Sequence, residues 1–426
     1  MTQVIFSHQP SNITLRIEAK LKEIYSGRSI LIAFVVGLLP PAHAADIGNG
    51  WKFDFSGFGT LGIMQIDRPA SEGTYAYLQT QIEGVTNSPS FANASLLGAQ
   101  GTFRRDDFSI TTQLVSRRGP DNQSTPRVDW MFAKWTATPE LSFRVGRIVA
   151  PIFATSQSRN IGYANIWTQA PTSIYGSAAL NNMDGADVSY SFAALDGIWR
   201  VQAGMGTFDL ERPANVVREF RGAKTLVLEY EYSNWTARMS YADADTTLRI
   251  AGLEPQLAPA VVSRRLTHPE LYSFASDFLH VNRPQTYASE SLQYDDGVWS
   301  GLLEVTQGRV RGGQISRNGW ILGGGYRLTD MWQPYVFYSV AEPAAPASMT
   351  FYNSSGASPF LFNVNQAPAV KNLALGVRYE VMKNMDLKAQ LDNFQVTNGM
   401  PVLTCPCSAP QPSSFNMLSV SLDFVF

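Results

Sequence analysis

The chain has 426 residues, of which 45% are hydrophobic and only 16% are charged. Soluble domains carry about 25% charged residues, so the deficit indicates that much of the surface faces something other than water. The formal net charge is −2. A net charge this close to zero does not indicate binding to nucleic acid, and we expect no nucleic-acid partner.

The N-terminal segment has the pattern of an export signal. Residues 29–39 form an apolar run that is too short to cross a bilayer as a helix, Arg28 precedes it, and residues 42–44 follow as an A-x-A cleavage signature. We therefore expect residues 1–44 to be a cleaved signal peptide and residues 45–426 to form one exported domain. The part before the apolar run is long for a signal peptide, which leaves the true start codon open.

The exported domain consists of segments in which apolar and polar residues alternate with period 2, separated by turn residues. This pattern predicts about sixteen strands. In chain order the predicted strands are 51–61, 95–104, 108–117, 128–138, 141–149, 185–195, 199–208, 224–233, 235–245, 286–294, 298–309, 319–328, 332–340, 371–381, 385–396 and 415–426.

The connections between these strands alternate between tight and long. The tight turns are 105–107, 139–140, 196–197, 234, 295–297, 330–331 and 383–384. The long loops are 62–94, 118–127, 150–184, 209–223, 246–285, 310–318, 341–370 and 397–414. Short periplasmic turns and long extracellular loops are typical of outer-membrane barrels. The sequence thus predicts an all-β fold, a transmembrane antiparallel β-barrel of about 16 strands in the bacterial outer membrane.

The strand 415–426 is the most specific of these signals. Its apolar face consists of Leu418, Val420, Leu422, Phe424 and Phe426. An open edge of this kind in a soluble sandwich, which is the alternative reading, would invite aggregation. A closed barrel removes the edge, with lipid outside and water inside. We interpret Phe426 as the terminal aromatic residue that serves as the barrel-assembly signal.

Residues 45–426 resemble the general porins of Gram-negative outer membranes, which are trimers of sixteen-stranded barrels. The resemblance rests on the strand count, on Phe426, and on the Gly146-Arg147 step that ends the fifth strand before a long third loop. It implies a porin with a water-filled channel for passive diffusion of small hydrophilic solutes and ions, without a cofactor. It also implies a homotrimer, with the first five strands as the contact flank, in contact with membrane lipid and lipopolysaccharide. A substrate-selective outer-membrane channel for sugars or small organic anions is the alternative.

The third loop, 150–184, is expected to fold into the barrel and constrict it. Between Pro151 and Met183 the only charged residue is Arg159, so this segment can pack on the barrel wall without burying unpaired charge. A folded surface lid is the alternative. The predicted constriction consists of Lys134, Arg144 and Arg147 on the wall, Ser156, Gln157, Arg159 and Asn160 on the loop, and Asp184 and Asp187 where the chain re-enters the sheet. Basic side chains without opposing carboxylates predict a neutral-to-anionic preference.

The two wall arginines, Arg144 and Arg147, cannot both face inward on a regular strand. A bulge at Gly146 would bring both into the lumen, whereas without a bulge one of them reaches the lipid head groups.

An enzyme is not expected, because the exported domain has only His268 and His280, both in one loop and neither near a partner for catalysis. Cys405 and Cys407 are too few to form a metal site. No metal or cofactor is therefore expected, and the redox state of the two thiols is left open.

Overall fold

The computed structural model describes residues 44–70, 74–75, 84–119, 121–175, 181–209, 216–250, 283–310, 316–344, 369–397, 403–404 and 414–426. The predicted signal peptide up to residue 43, the two histidines and the two cysteines of the exported domain lie outside these ranges. Among the described residues, no helix is long and apolar enough to cross a membrane.

Sixteen antiparallel strands form one closed barrel in the described part of the chain, as the sequence predicts. They are β1 (Trp51–Ile66), β2 (Leu96–Arg105), β3 (Phe108–Arg117), β4 (Pro126–Thr136), β5 (Leu141–Val149), β6 (Asn182–Ala194), β7 (Gly197–Asp209), β8 (Val216–Tyr232), β9 (Trp235–Ile250), β10 (Arg283–Asp295), β11 (Trp299–Val310), β12 (Arg317–Tyr326), β13 (Trp332–Pro343), β14 (Ala369–Met382), β15 (Met385–Thr397) and β16 (Ser414–Val425). Each strand pairs with its neighbours in sequence, and β16 closes the barrel on β1, with Leu422 opposite Leu61.

A short strand that the sequence did not predict, Ala44–Gly48, pairs with the first residues of β1. The pairing places Ala45 opposite Phe53. β16 covers β1 only from Phe58 onward, so the short strand supplies hydrogen-bond partners to the part of β1 that β16 leaves open.

Several strands are longer at the loop end than predicted. β8 begins at Val216, eight residues before its predicted start, and β9 continues to Ile250. The register of β8 shifts between Arg221 and Lys224, which interrupts the alternation of the sequence although the hydrogen-bonded ladder with β9 continues.

The two faces of the barrel wall have opposite chemistry. On β15 the inward side chains Asp386, Lys388 and Gln390 are buried, whereas the outward side chains Leu387 and Leu391 are exposed. This is the reverse of a soluble sheet and fits a wall with lipid outside and polar groups inside.

Aromatic pairs form a girdle on the outer face near the tight turns. Trp235 contacts Tyr294 across the β9–β10 pair, with ring centroids 4.7 Å apart. The same arrangement recurs between β11 and β12 and between β13 and β14. Amphipathic rings favour the boundary between lipid and water, so this girdle marks one edge of the membrane-spanning band.

At the seam between β16 and β1, aromatic rings of one strand lie over glycines of the other. The Gly57 N–H donates to the Phe426 carbonyl at 2.9 Å, and the Phe426 N–H donates to the Gly57 carbonyl at 3.0 Å. The Phe426 ring lies on Gly57, and a Cβ there would be 2.1 Å from Phe426 Cζ. A side chain at position 57 would therefore push this ring off the seam.

Candidate functional site

The third loop lies inside the barrel. Residues 150–175 leave β5, form a 3-10 turn at Gly162–Ala164 and a one-turn helix at Thr172–Tyr175, and hydrogen-bond to several strands of the inner wall. These strands include β3, β4, β9, β11, β13, β14, β15 and β16. Strands on both sides of the barrel can be reached together only from the lumen, so the loop folds inward as predicted.

A buried carboxylate of β11 holds the two ends of this loop. Glu304 has no exposed surface. One of its oxygens accepts from the Ala154 N–H at 3.1 Å and from Ser289 Oγ at 2.6 Å. The other accepts from the Tyr175 hydroxyl at 2.6 Å. Two of the three donors belong to the loop, so the loop replaces the water that would otherwise hydrogen-bond this carboxylate.

A buried lysine holds the middle of the loop against β15 and β16. The Lys388 side chain is fully buried, and its Nζ donates to the Gly162 carbonyl at 2.6 Å and to Asp423 at 3.0 Å. Asp423 also accepts from the Thr60 hydroxyl of β1. Gly162 is required at this point, because a Cβ would lie 2.0 Å from Asp423 Oδ1.

Tyr163, the next residue of the loop, bonds to β14. Its hydroxyl donates to Glu380 at 2.5 Å, and the Arg378 guanidinium lies over its ring, 4.8 Å from the centroid. Burial and the Glu380 carboxylate together raise the pKa of the Tyr163 hydroxyl above its ordinary value. The phenol therefore remains a donor across the physiological pH range.

Aromatic side chains of the loop are packed on the wall rather than presented to the channel. Trp167 is 8% exposed and meets Phe337 at 4.8 Å between ring centroids. Phe153 packs edge-on against Tyr287 of β10. These rings anchor the loop and leave little surface to contact a solute.

The predicted loop residues collect around an aspartate of β4. Arg159 donates to Asp129 at 2.8 Å, and Asn160 Nδ2 donates to the same oxygen at 2.8 Å. Ser156 Oγ accepts the Phe153 N–H, and Gln157 is exposed. Arg159 was expected to face Lys134 and the wall arginines. Instead it pairs with Asp129, because its charge is nearly buried and needs a carboxylate.

Lys134 and Arg144 face the lumen and are paired in register on β4 and β5. Arg144 binds Asp187 of β6 through two hydrogen bonds, at 3.0 and 2.5 Å, and also lies over the Phe132 ring. Asp187 therefore compensates Arg144. Lys134 is partly exposed, and within the described ranges it forms no ion pair. Arg117 of β3 donates to the Asn160 amide oxygen at 3.1 Å, so Lys134 and Arg117 are cations of this wall that no carboxylate of the described ranges compensates.

Arg147 and Asp184 lie on the outer face, which corrects the prediction that they line the constriction. The β5–β6 register runs without a shift from Arg144 opposite Asp187 to Arg147 opposite Asp184. Of the two alternatives for the wall arginines, the unshifted register favours the one without a bulge at Gly146, in which Arg144 and Arg147 lie on opposite faces of the strand. Arg147 and Asp184 bind each other through two hydrogen bonds, at 2.8 and 2.7 Å.

Sequence reasoning missed the wall residues that hold the loop. They are Asp129, Glu304, Glu380, Lys388 and Asp423. Their inward position can be read from the alternation, since charged residues occupy every second position between apolar ones. Their contact with the loop cannot be read in this way, because it depends on where the loop crosses the lumen. No group of three or more possible metal ligands occurs in the described ranges.

Solved structures similar to this one are channels and other proteins of bacterial outer membranes. The anion-selective porin of Comamonas acidovorans is 12% identical, with a TM-score of 0.51 over 88% of this chain and 100% of that one. The outer-membrane channel DcaP of Acinetobacter baumannii is 10% identical, with a TM-score of 0.54 over 91% and 100%. OmpT, an outer membrane protein of Vibrio cholerae solved in a trimer form, is 12% identical, with a TM-score of 0.52 over 89% and 100%.

No protein-family model and no curated protein matches the sequence. At these identities the likeness concerns the fold. Together with the lipid-facing wall and the closed ring of strands, it confirms the fold and the outer-membrane location that the sequence predicts. The chain has the sixteen-stranded porin fold of bacterial outer membranes.

Proposed function

We propose that this chain is an outer-membrane porin, a passive diffusion channel for small hydrophilic solutes and ions that the third loop narrows. The observation that carries the proposal is the anchoring of the loop across the lumen by the buried Glu304 and Lys388. Sixteen strands enclose a lumen that side chains alone cannot fill. A loop bound to opposite walls leaves one reduced passage for water and solutes.

The passage runs along the inner face of β2–β5. Arg117 and Asp129 of this wall bind the loop. Other side chains there bond to one another: Gln113 donates to Gln100 at 3.0 Å, and the hydroxyls of Thr102 and Thr111 are 3.1 Å apart. A wall of amides and hydroxyls suits hydrated solutes without selecting one, which supports general diffusion.

The preference among ions follows from Lys134 and Arg117. Since Asp187 neutralises Arg144 and Asp129 neutralises Arg159, Lys134 and Arg117 leave a net positive charge on this wall. A fixed positive charge in a narrow passage lowers the barrier for anions. The channel is therefore weakly anion-selective, and Lys134 rather than Arg147 contributes to this preference.

The mature protein begins after residue 44, contacts membrane lipid and lipopolysaccharide, and forms a homotrimer through the flank of β1–β5. The trimer form of the Vibrio cholerae OmpT, a protein of similar fold, supports the last point. Phe426 is the assembly signal, in keeping with its ring on the seam. An enzymatic function has no support from the similar porin and channel structures.

A substrate-selective channel for sugars or organic anions is the second candidate, and it is not favoured. Its argument was the aromatic third loop, but Trp167 is buried against the wall. Swelling of proteoliposomes in sugars of equal size and different stereochemistry separates the two. A diffusion channel passes them at equal rates, whereas unequal rates indicate a binding site.

Deletion of residues 155–175 tests the proposal in planar bilayers. Removing an obstruction from the lumen should raise single-channel conductance about twofold. The control is the deletion protein shown to be folded by its resistance to unfolding in detergent on gels. Unchanged conductance from a folded barrel would mean that the third loop does not limit the passage.

A further inference from the structure

The inner wall changes from polar to apolar at the loop end of four neighbouring strands. On β15 the inward residues Lys388 and Gln390 are followed on the same face by Phe394, three residues before the strand ends. The apolar inward residues at these loop ends are buried and pack on one another; they are Met64 and Ile66 of β1, Val370 of β14, Phe394 of β15, and Phe415 and Met417 of β16. We call this group the mouth patch. A water-filled lumen favours polar side chains, so an apolar patch on the inner wall requires a cover.

Tyr75 of the first loop, which joins β1 to β2, covers the mouth patch. Its ring centroid is 5.1 Å from that of Phe394 and 5.4 Å from that of Phe415, and the side chain is buried. Val85 is also buried, and its backbone exchanges two hydrogen bonds with that of Tyr75, at 3.0 and 2.7 Å. A ring that packs on inward side chains places this part of the first loop inside the mouth of the barrel.

Backbone pairing holds the first loop in this position. Where the loop returns toward β2, Ser90 exchanges two hydrogen bonds with Met64 of β1, at 3.0 and 2.8 Å. Thr74–Tyr75 also pairs with Leu403–Thr404, from the loop between β15 and β16. The segment around Tyr75 is therefore held by the wall, by its own loop and by a second loop.

The first loop lies on the same side of the lumen as the middle of the third loop. Gln169 Nε2 of the third loop donates to Met64 Sδ of the mouth patch at 3.4 Å, and both side chains are buried. Thr168, the preceding residue, binds Gln390 of β15 and Ser419 of β16, further from the loop ends of these strands. The two loops thus follow one another along the β14–β1 side, and the β2–β5 side is left for the passage.

We propose that the first loop, seated on the mouth patch by Tyr75, is a second constriction of the channel, which limits the size of solutes that enter from the loop side before they reach the third loop. This proposal rests on the diffusion channel proposed above and adds a separate element to it. A sixteen-stranded ring has a wide mouth. A loop packed on the inner wall takes up part of that opening, so large hydrophilic solutes are excluded there.

Protection of a thiol in the mouth patch tests the seating of the loop. Cys405 and Cys407 are replaced by serine, and Met417→Cys introduces the thiol. A charged thiosulfonate reagent should modify it slowly while Tyr75 is in place. Tyr75→Ala should raise the rate about tenfold, because the ring that covers the patch is removed. Tyr75→Phe keeps the ring and should keep the protection.

Phe208→Ala is the matched control for this assay. Phe208 is also a buried aromatic residue near the loop end of its strand, but it lies on β7, on the other side of the barrel. Its removal should leave the thiol at position 417 protected. Each variant is first shown to be folded by its resistance to unfolding in detergent on gels. Tyr75 lies outside the sixteen strands, so its replacement leaves their pairing intact.

Sizing of the channel from both sides tests the effect on solutes. Polyethylene glycols of graded mass lower the single-channel conductance when they are small enough to enter. For polymers added on the loop side, the largest mass that enters should rise about twofold in Tyr75→Ala, because the mouth is wider. For polymers added on the side of the tight turns, the limit should stay the same, because the third loop is unchanged.

Four results overturn the proposal. Rapid modification of the thiol with Tyr75 in place means that the loop does not cover the patch. Equal rates in Tyr75→Ala and Tyr75→Phe mean that the ring contacts do not hold the loop. An equal rise in Phe208→Ala means that the whole barrel has loosened. An unchanged size limit on the loop side of Tyr75→Ala means that the first loop does not restrict entry.

The thiol assay requires no ion flow, so it is independent of the proposed channel function. A folded barrel that conducts no ions would refute the diffusion channel and leave the protection of the thiol unaffected. A conducting barrel with an unprotected thiol would refute the seating of the first loop and leave the diffusion channel in place.

Discussion

The inner wall of β11–β16 and the inner wall of β2–β5 both carry charged side chains, but they differ in what surrounds the charge. Lys388 on β15 is fully buried between Asp423 and the third loop, whereas Lys134 on β4 is partly exposed and unpaired within the described ranges. The buried Lys388 affects the stability of the barrel, because its removal leaves a buried carboxylate without a cation. The exposed Lys134 acts on passing solutes through its charge and contributes little to stability.

The largest contrast is expected between Lys388→Met and Lys134→Met. Breaking the buried pair at Lys388 should cost about 3–5 kcal/mol, because Asp423 is left without its cation. The temperature at which the barrel unfolds in detergent, read from its migration on gels, should fall clearly for Lys388→Met. For Lys134→Met it should stay within the scatter of the unsubstituted protein. Equal decreases in the unfolding temperature of the two variants would contradict the difference in stability that we infer between the two walls.

A smaller effect is expected from Tyr163→Phe. The substitution removes the hydrogen bond of the loop to Glu380, which keeps the Arg378 guanidinium as its other donor. The loss should cost about 1–3 kcal/mol and loosen the loop without unfolding the barrel. The measurement is current noise of single channels, with faster fluctuations expected in the variant. The control is Tyr294→Phe on the outer girdle, which should leave the noise unchanged.

The same tyrosine predicts an alkaline transition. Because the pKa of Tyr163 is raised from 10.0 in the unfolded chain, its hydrogen bond stabilises the loop fully below pH 10. The contribution is lost as the pH rises through the higher folded value. Channel noise should therefore increase only above pH 10 in the unsubstituted protein and show no such step in Tyr163→Phe. A step at the same pH in both proteins would assign the transition to another group.

The smallest effect concerns ion preference. Lys134→Glu reverses one of the two uncompensated charges of the passage and should lower the ratio of anion to cation permeability about twofold. The reversal potential in a salt gradient measures this ratio. Arg147→Glu makes the same charge change on the outer face and should leave the potential unaltered. A shift of equal size from Arg147→Glu would mean that position 147 is close to the ion path.

The sequence predicted the strands well where one face meets lipid and the other water, because only there does the alternation persist. It failed at the loop end of β8, where a register shift between Arg221 and Lys224 interrupts the alternation although pairing continues. The inward loop followed from composition, since a segment with Arg159 as its only charge can be buried.

The details of the site were less predictable, because they depend on contacts between distant parts of the chain. Arg147 was placed in the lumen by assuming a bulge, and an unbroken register puts it outside. Asp129 and Glu304 gave no sign of their roles, since a carboxylate at an inward position looks the same whether a loop or water meets it.

The seam between β1 and β16 also bears on how long the barrel takes to form. The bond between Thr60 and Asp423 joins residues 363 positions apart, whereas the other strand pairs form between neighbours in sequence. Hairpins can assemble early and locally, but the seam requires two distant segments to meet, and such contacts are slow. Closure of the ring is therefore expected to set the folding time of the barrel, and residues that pack this seam, such as Gly57, should change the rate of assembly more than the properties of the finished channel.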